Sequence, residues 1–369
     1  MGERNDNHFV PRFYLRYWSA DTKSTNLFNF SRMRAIEGVS IKGQCQRHNF
    51  YAFAPKLEDA LGDLEDAAAD SIRLLKTNND VPRRGSDEWA VLLAFIVFQK
   101  LRTTNTGRMT DAMTDYISKL WLEGTQYEEE ARNLKIENVY PVAIPMTLVG
   151  NVLPIAEDLR LHLLINETAR QFITSDDPVV LHNQYCEGIT WQGVTGWNST
   201  GLQIFFPLSP TELVVLFDAD TYKLGRSHRG ETVTRLTNER DIAQLNSLQI
   251  LNAHHNVYYA GFCGAEKVLS ECRGLARRRP KTRTTFVETE AKETDDPETS
   301  GSILHMYEPL LPVRLEVSKL AVRRDRRRIA LHSRANMYRK VIPKTDEERA
   351  AYGKPPAGGR YAVKKITHI

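Results

Sequence analysis

Hydrophobic and polar positions alternate in two different rhythms along this chain, and the change of rhythm is its first structural message. Between Ala90 and Phe98, inside SDEWAVLLAFIVFQKLR (86–102), there is no polar side chain at all. A helix over this stretch is apolar on every side and belongs inside a domain, yet it is too short to cross a bilayer. Ser86 suits its N-cap, and Asp87 and Glu88 complement the dipole in its first turn. Gln99 and Arg102 stand one turn apart at its exit.

Around this core segment lie other helical stripes. Leu57, Leu61, Leu64, Ala68, Ile72 and Leu75 recur at helical spacing, as do Met113, Tyr116, Ile117, Leu120 and Trp121 within 109–122. Phe13, Tyr14, Tyr17 and Trp18 predict a short aromatic helix with Pro11 in its first turn. Prolines at 145 and 154 break the apolar run 142–159, so the helix there is expected between them. Short strands are expected at 27–30, 39–41 and 50–53. After residue 160 the rhythm becomes β-like, with strands at 161–165, 171–174, 179–181, 202–206 and 213–217. Residues 241–254 return to helix, with Ile242, Leu245, Leu248 and Leu251 as its buried face, and 257–260 can close a sheet. Helices first and strands later, without regular βαβ alternation, predict an α+β fold: a buried helical bundle on a mostly antiparallel sheet.

Past residue 272 the pattern weakens. Residues 276–302 are polar and read as a flexible connector, 315–338 as a basic helix, and 345–359 as loop. The division expected is therefore a core over 1–272, a connector over 273–302 and a basic extension over 303–369. Charge follows the same boundary. Residues 273–369 carry 23 Lys+Arg against 12 Asp+Glu, whereas those before carry 27 against 34, so the net charge of +4 conceals an acidic body and a basic tail. Arg277, Arg278, Arg279, Lys281 and Arg283, then Arg323, Arg324, Arg326, Arg327 and Arg328, then Arg334, Arg339 and Lys340 are the basic clusters. Such runs can neutralise nucleic-acid phosphates without reading sequence, or form a solvated tail or a surface for an acidic partner. The polar N-terminus and the absence of a membrane-length apolar run place the expected site of action in the cytoplasm. Gly2 lacks the Ser or Thr that a myristoylation signal requires.

Five blocks then come together in order: HFVPRFYL (His8, Val10, Pro11 and Leu15), QKLRT from Gln99, FITSDDPVV from Phe172, PLSP from Pro207 and LNSLQ from Leu245. In that order they resemble the largely prokaryotic family known as the domain of unknown function numbered 4238, over roughly residues 8–261. The resemblance implies little chemistry. The connector and the basic extension lie outside it.

Candidate chemistry collects in those blocks. His8 can titrate near neutrality and serve as general acid or base, or simply bond a carbonyl at a helix entry. Gln99 and Arg102 can steady a phosphate or carboxylate, or Arg102 can bridge internally to Asp176 or Glu65. Ser175 and Asp176 can close a turn before Pro178, or Asp176 can orient His8 or hold a metal. Asn246 and Gln249 can line the same pocket or lie on a helix surface. Glu58 and Glu65, two helical turns apart, could hold a divalent ion such as magnesium. Zinc is disfavoured, because Cys45 with His48, Cys263 with Cys272, and the His254–His255 pair match no compact four-ligand spacing. Walker, dinucleotide, nucleophile-elbow and zinc-protease motifs are all absent. The expectation is a nucleic-acid hydrolase, with RNA as one candidate substrate, His8, Arg102 and Asp176 as catalytic residues, Gln99, Ser175, Asn246 and Gln249 binding substrate, and the basic extension holding the backbone. Its rival is a non-enzymatic binding protein in which the same polar residues form a satisfied internal network.

Overall fold

A computed structural model describes residues 6–54, 56–189, 193–225, 231–261, 265–281, 283–291, 302–324, 338–339 and 361–368. In chain order, β1 (Asp6–His8), α1 (Arg12–Leu15), β2 (Ser24–Asn29), β3 (Arg34–Ser40) and β4 (Gln46–His48) open the fold. A helical stretch follows: α2 (Leu57–Asn78), α3 (Asp87–Leu101), α4 (Thr104–Leu122), α5 (Glu128–Asn133), α6 (Ala143–Thr147) and α7 (Val149–Ala156). Strands then dominate as β5 (Arg160–Asn166), β6 (Thr174–Ser175), β7 (Val180–His182), β8 (Gln203–Pro207), β9 (Glu212–Phe217), β10 (Tyr222–Leu224) and β11 (Val233–Leu236). The chain continues through α8 (Glu239–Asn252), β12 (Asn256–Tyr259), α9 (Ala265–Leu275), β13 (Thr285–Ala291), β14 (Ser302–Tyr307), β15 (Leu320–Val322) and β16 (Tyr361–His368). This is the α+β class expected from the change of rhythm.

The central sheet has the order β11-β5-β9-β8-β7, antiparallel except where β11 runs parallel to β5. Both of its faces are covered, which is why its strands read as nearly continuous apolar runs. Leu161, Leu163, Ile204, Phe206, Val214 and Leu216 face the cluster built with α2, α3 and α7. The alternate positions, Leu164, Phe205, Val215 and Phe217, face α8 together with Leu311, Leu315, Val317 and Leu320 of the C-terminal extension. A second sheet, β3-β2-β12-β6, packs Phe28, Phe30 and Val257 against α8 and α9. Helix α8 is thus wedged between two sheets.

Several local expectations change. Phe50–Phe53 forms turns instead of a strand, because the chain pairs earlier, through β4 with β1. Pro145 and Pro154 each sit inside a short helix, α6 and α7. The expected connector is structured where it is described: Ala276–Arg278 forms a 3-10 turn and Thr285–Ala291 is a strand paired with β14 and β16. Phe286 on that strand stacks on Tyr116 of α4 at 4.4 Å and 4°. The basic helix expected over 315–338 is replaced, in its described part, by β15 pairing with β10. Residues 325–337 and the loop expected at 345–359 lie outside the described residues. Among those described, no helix is long and apolar enough to cross a membrane.

Candidate functional site

The site grows from two short aromatic and apolar helices whose ends turn polar. Helix α1 is fixed by its buried side: the Tyr14 ring stacks on Phe206 at 5.0 Å, and the Tyr14 hydroxyl donates to Pro207 O at 2.8 Å. Trp18 donates from Nε1 to Phe172 O at 3.0 Å. With positions 14, 15 and 18 turned inward, Arg12 and Arg16, one turn apart, stay exposed. Helix α3 starts as its sequence suggests, with Ser86 Oγ accepting from Trp89 N at 3.3 Å, and buries Leu92, Phe95 and Ile96 completely.

At the α3 exit Arg102 is 1% exposed, and its charge is met inside the protein. Its Nη1 donates to Glu65 Oε1 at 2.7 Å, while Nε and Nη2 both donate to Gln99 Oε1 at 3.1 and 2.8 Å. Gln99 in turn donates from Nε2 to Phe9 O at 2.8 Å. The internal bridge therefore runs to Glu65 and not to Asp176. Gln99 and Arg102 are committed to holding β1, α2 and α3 together, which leaves neither free to grip a ligand.

His8 is differently placed. It is half-buried at the end of β1, and its Nε2 lies 3.1 Å from Lys42 O. A carbonyl only accepts, so Nε2 carries the proton and Nδ1 keeps its lone pair when the ring is neutral. Burial is the main cause that lowers its pKa from the ordinary value, and Arg12 adds to it. The ring borders an open cleft of about 650 Å³. Arg12, Arg16 and Lys42 give this cleft a basic wall, and Glu58, Glu65 and Asp66 of α2 an acidic one. Arg12 and Arg16 form no ion pair among the described residues. Glu58 and Glu65 do share the cleft, as their spacing suggests, but Glu65 already serves Arg102. Among the described residues no group of three or more His, Cys, Asp or Glu is placed to hold a metal ion.

Asp176 and its neighbours form a second, sealed cluster. One carboxylate oxygen of Asp176 accepts from His254 N at 2.7 Å, and the other from His255 N at 2.7 Å and Asn256 N at 3.0 Å. No hydrogen bond or ion pair joins it to His8 or Arg102 among the described residues. The segment 171–178 carries only the two-residue strand β6, so most of its backbone groups lack a ladder partner. One face of α8 supplies what is missing. Asn246 accepts from Ile173 N at 3.1 Å and donates to Gln171 O at 2.9 Å, Gln249 donates to Pro178 O at 2.8 Å, and Asn252 donates to Asp177 O at 2.7 Å. Ser175 Oγ closes the set on Gln249 Oε1 at 2.9 Å. Ser175, Asn246 and Gln249 are thus buried supports of the fold and do not line the cleft.

Next to them is a charged group that sequence reasoning missed. Asp177, fully buried, accepts from Asn105 Nδ2 at 3.0 Å and stands 3.8 Å from Lys100 Nζ. Lys100 also meets Glu308 at 3.1 Å, and Glu308 meets Arg283 at 3.4 Å. Burial raises the Asp177 carboxyl to about 6, against the pull of Lys100. Lys100 lies inside the QKLRT block and Asp177 inside SDDP, so both were in view. Glu308 comes from the extension and Arg283 from the connector, and no spacing links them to either block.

The extension's arginines are largely engaged as well. Arg283 donates to Leu251 O and Asn252 O at 3.1 and 2.5 Å, satisfying the last carbonyls of α8. Arg279 donates to Ala253 O and His254 O and covers the Phe30 ring at 3.9 Å. Arg278 donates to Pro312 O at 2.6 Å, and Arg323 to Ala219 O at 2.9 Å. Arg339 pairs with Asp158 at 2.9 Å and is 6% exposed. Arg277 and Arg324 remain exposed, and Arg326, Arg327 and Arg328 lie outside the described residues. Arg279, Arg283, Arg323 and Arg339 therefore fasten the C-terminal part of the chain to the body.

Cys45, Cys186 and Cys272 are free and buried, and burial pushes their thiols up, which suits packing better than nucleophilic or metal chemistry. Cys263 lies outside the described residues. Comparison with curated proteins returned no match, and comparison with solved structures returned none either. The family comparison did match, over the stretch that holds His8, the α3 exit, the SDDP segment and α8 together. With residues 6–261 covered, the chain belongs to the family described as "Protein of unknown function (DUF4238)".

Proposed function

We propose that this protein binds a nucleic-acid phosphodiester in the His8 cleft and hydrolyses it, in the cytoplasm, with His8 as general acid or base. The observation that carries this reading is the placement of His8. Of the three expected catalytic residues it is the one at an open cleft, and it stands there beside Arg12 and Arg16, two guanidiniums without a carboxylate partner among the described residues. In this reading a water molecule gives its proton to His8 Nδ1 as its oxygen bonds to phosphorus, the P–O ester bond breaks, and the leaving alkoxide takes a proton from the His8 imidazolium or from solvent, while Arg12 and Arg16 meet the phosphate oxygens. They take the role expected of Arg102 and Gln99, which are committed internally. Asp176 plays no part in orienting His8, since its carboxylate is occupied by three amides.

A second reading has its own support. Arg102, Gln99, Asp176, Ser175, Asn246 and Gln249 are all buried and hydrogen-bonded within the fold, as a non-enzymatic binding protein would have them. One experiment separates the two. Labelled RNA and DNA are incubated with wild type, His8→Ala and Arg12→Ala, each shown to be folded, with and without magnesium. Hydrolysis predicts cleavage by wild type and a loss of roughly 10²- to 10⁴-fold in His8→Ala, the usual share of acid–base catalysis. Binding without cleavage by wild type, weakened in Arg12→Ala, selects the second reading.

A further inference from the structure

The turn that Asp176 holds carries two histidines, and its construction is more rigid than a surface turn needs. From beneath, the Asp176 carboxylate, 4% exposed, accepts from the amides of His254, His255 and Asn256. From the side, Arg279 donates to the carbonyls of Ala253 and His254. Both imidazoles are thereby set in place, their ring centres 3.9 Å apart, with His254 half-buried and His255 exposed. Arg108 of α4 reaches the pair: its Nη1 lies 3.3 Å from Nε2 and 3.5 Å from Nδ1 of His254. Nearly equal distances to both nitrogens leave the guanidinium without a single directed acceptor, and no carboxylate pairs with it among the described residues. Ser31 Oγ stands 3.3 Å from His255 Nδ1.

We infer that the His254–His255 turn, Arg108 and Ser31 form a binding site for a phosphate group, separate from the His8 cleft and independent of the reading given to that cleft. The chemistry of the surroundings selects an anion. Arg108 from α4 and Arg279 from the connector act on both rings, Arg283 from the connector on His254 and Arg47 from β4 on His255. So much positive charge opposes a metal cation and favours a phosphate, which guanidinium, imidazole N–H and hydroxyl donors can share. Among the described residues Asp176 is the one carboxylate hydrogen-bonded to the turn, and its oxygens are occupied by backbone amides. Burial above all, and then the same guanidiniums, lower the pKa of both rings; for His254, where the neighbouring His255 adds to the effect, it falls to about 3. A bound phosphate offsets that repulsion and favours the imidazolium, so affinity rises as pH falls. Strand β4 connects the two regions: Gln46 lines the cleft, and its neighbour Arg47 acts on His255.

The test is an NMR titration of the imidazole resonances of the full chain with inorganic phosphate, at neutral and at acidic pH. His254→Asn and His255→Asn assign the two rings. The expected result is saturable movement of both rings, tighter binding at the acidic pH, and affinity lower by about tenfold or more in Arg108→Ala, the scale of one charged hydrogen bond. In a second arm a single-stranded oligonucleotide replaces phosphate. Movement of the same rings identifies a nucleic-acid backbone as the source, whereas a response to free phosphate alone identifies a small phosphorylated ligand. Phosphate that moves His8 but leaves His254 and His255 still overturns the inference while sparing the cleft. So does a response at the pair that survives Arg108→Ala unchanged, with the variant's native fold confirmed from its spectrum.

Discussion

The α3 exit and the His8 cleft share a wall and use the same residue types, yet they do opposite things with them. Arg102 is 1% exposed and gives its donors to Glu65 and Gln99, whereas Arg12 and Arg16 are exposed with no ion pair among the described residues. Glu65 belongs to both regions, since its carboxylate meets Arg102 while its side chain, 25% exposed, borders the cleft. A charge removed from water has to be met within the fold, and whatever meets it is no longer available to a ligand. Burial, and not residue type, therefore separates the arginine that holds the fold from those that can hold a phosphate.

Removing the buried member should break that comparison most severely. Arg102→Ala is expected to cost about 3 kcal/mol in denaturant unfolding, the low end for a broken buried pair because Glu65 can partly regain water. If the variant unfolds at the wild-type midpoint, Arg102 is not the structural residue its contacts indicate.

Asp177 sharpens the comparison through pH. Its folded pKa of about 6 lies above the ordinary aspartate value of about 3.9, so the native state holds the proton more tightly than the unfolded chain. Its contribution to stability is accordingly greatest below that ordinary value, declines as pH rises towards about 6, and is level above it. Asp177→Asn should flatten this part of the stability–pH curve, as read by chemical unfolding at a series of pH values. An unchanged slope would assign the titration to another group.

The smallest structural effect is expected in the cleft. Arg16→Ala should change stability by no more than about 0.5 kcal/mol, as for other exposed positions, while weakening oligonucleotide binding and making it less salt-sensitive. Binding and salt dependence that both match wild type would remove the basic wall from the site.

The two regions were also legible to different degrees. QKLRT and SDDP were visible as polar blocks beside apolar runs, and an internal partner for Arg102 was foreseeable because buried guanidinium is rarely left unmet. Glu65 could not be preferred over Asp176 on sequence grounds, since the choice depends on how α2 packs on α3. Arg12 and Arg16 stood in HFVPRFYLRY with a one-turn spacing, but the aromatic positions between them drew the reading towards packing alone. The link from Lys100 to Glu308 spans 208 residues and has no local signature.

The sequence by itself determined the α+β class, the buried α3, most of the strands of the central sheet and the family, because periodicity and capping act over a few residues at a time. Only the tertiary structure decided which polar groups are sealed and which are open. It turned the Asn246, Gln249 and Asn252 face of α8 onto an unpaired backbone segment, directed Asp176 to the His254–His255 turn, and used Arg279 and Arg283 to fasten to α8 a stretch read from sequence as a flexible connector. Solvent access and hydrogen-bond partners are set by elements that meet from distant parts of the chain, and no local pattern carries that information.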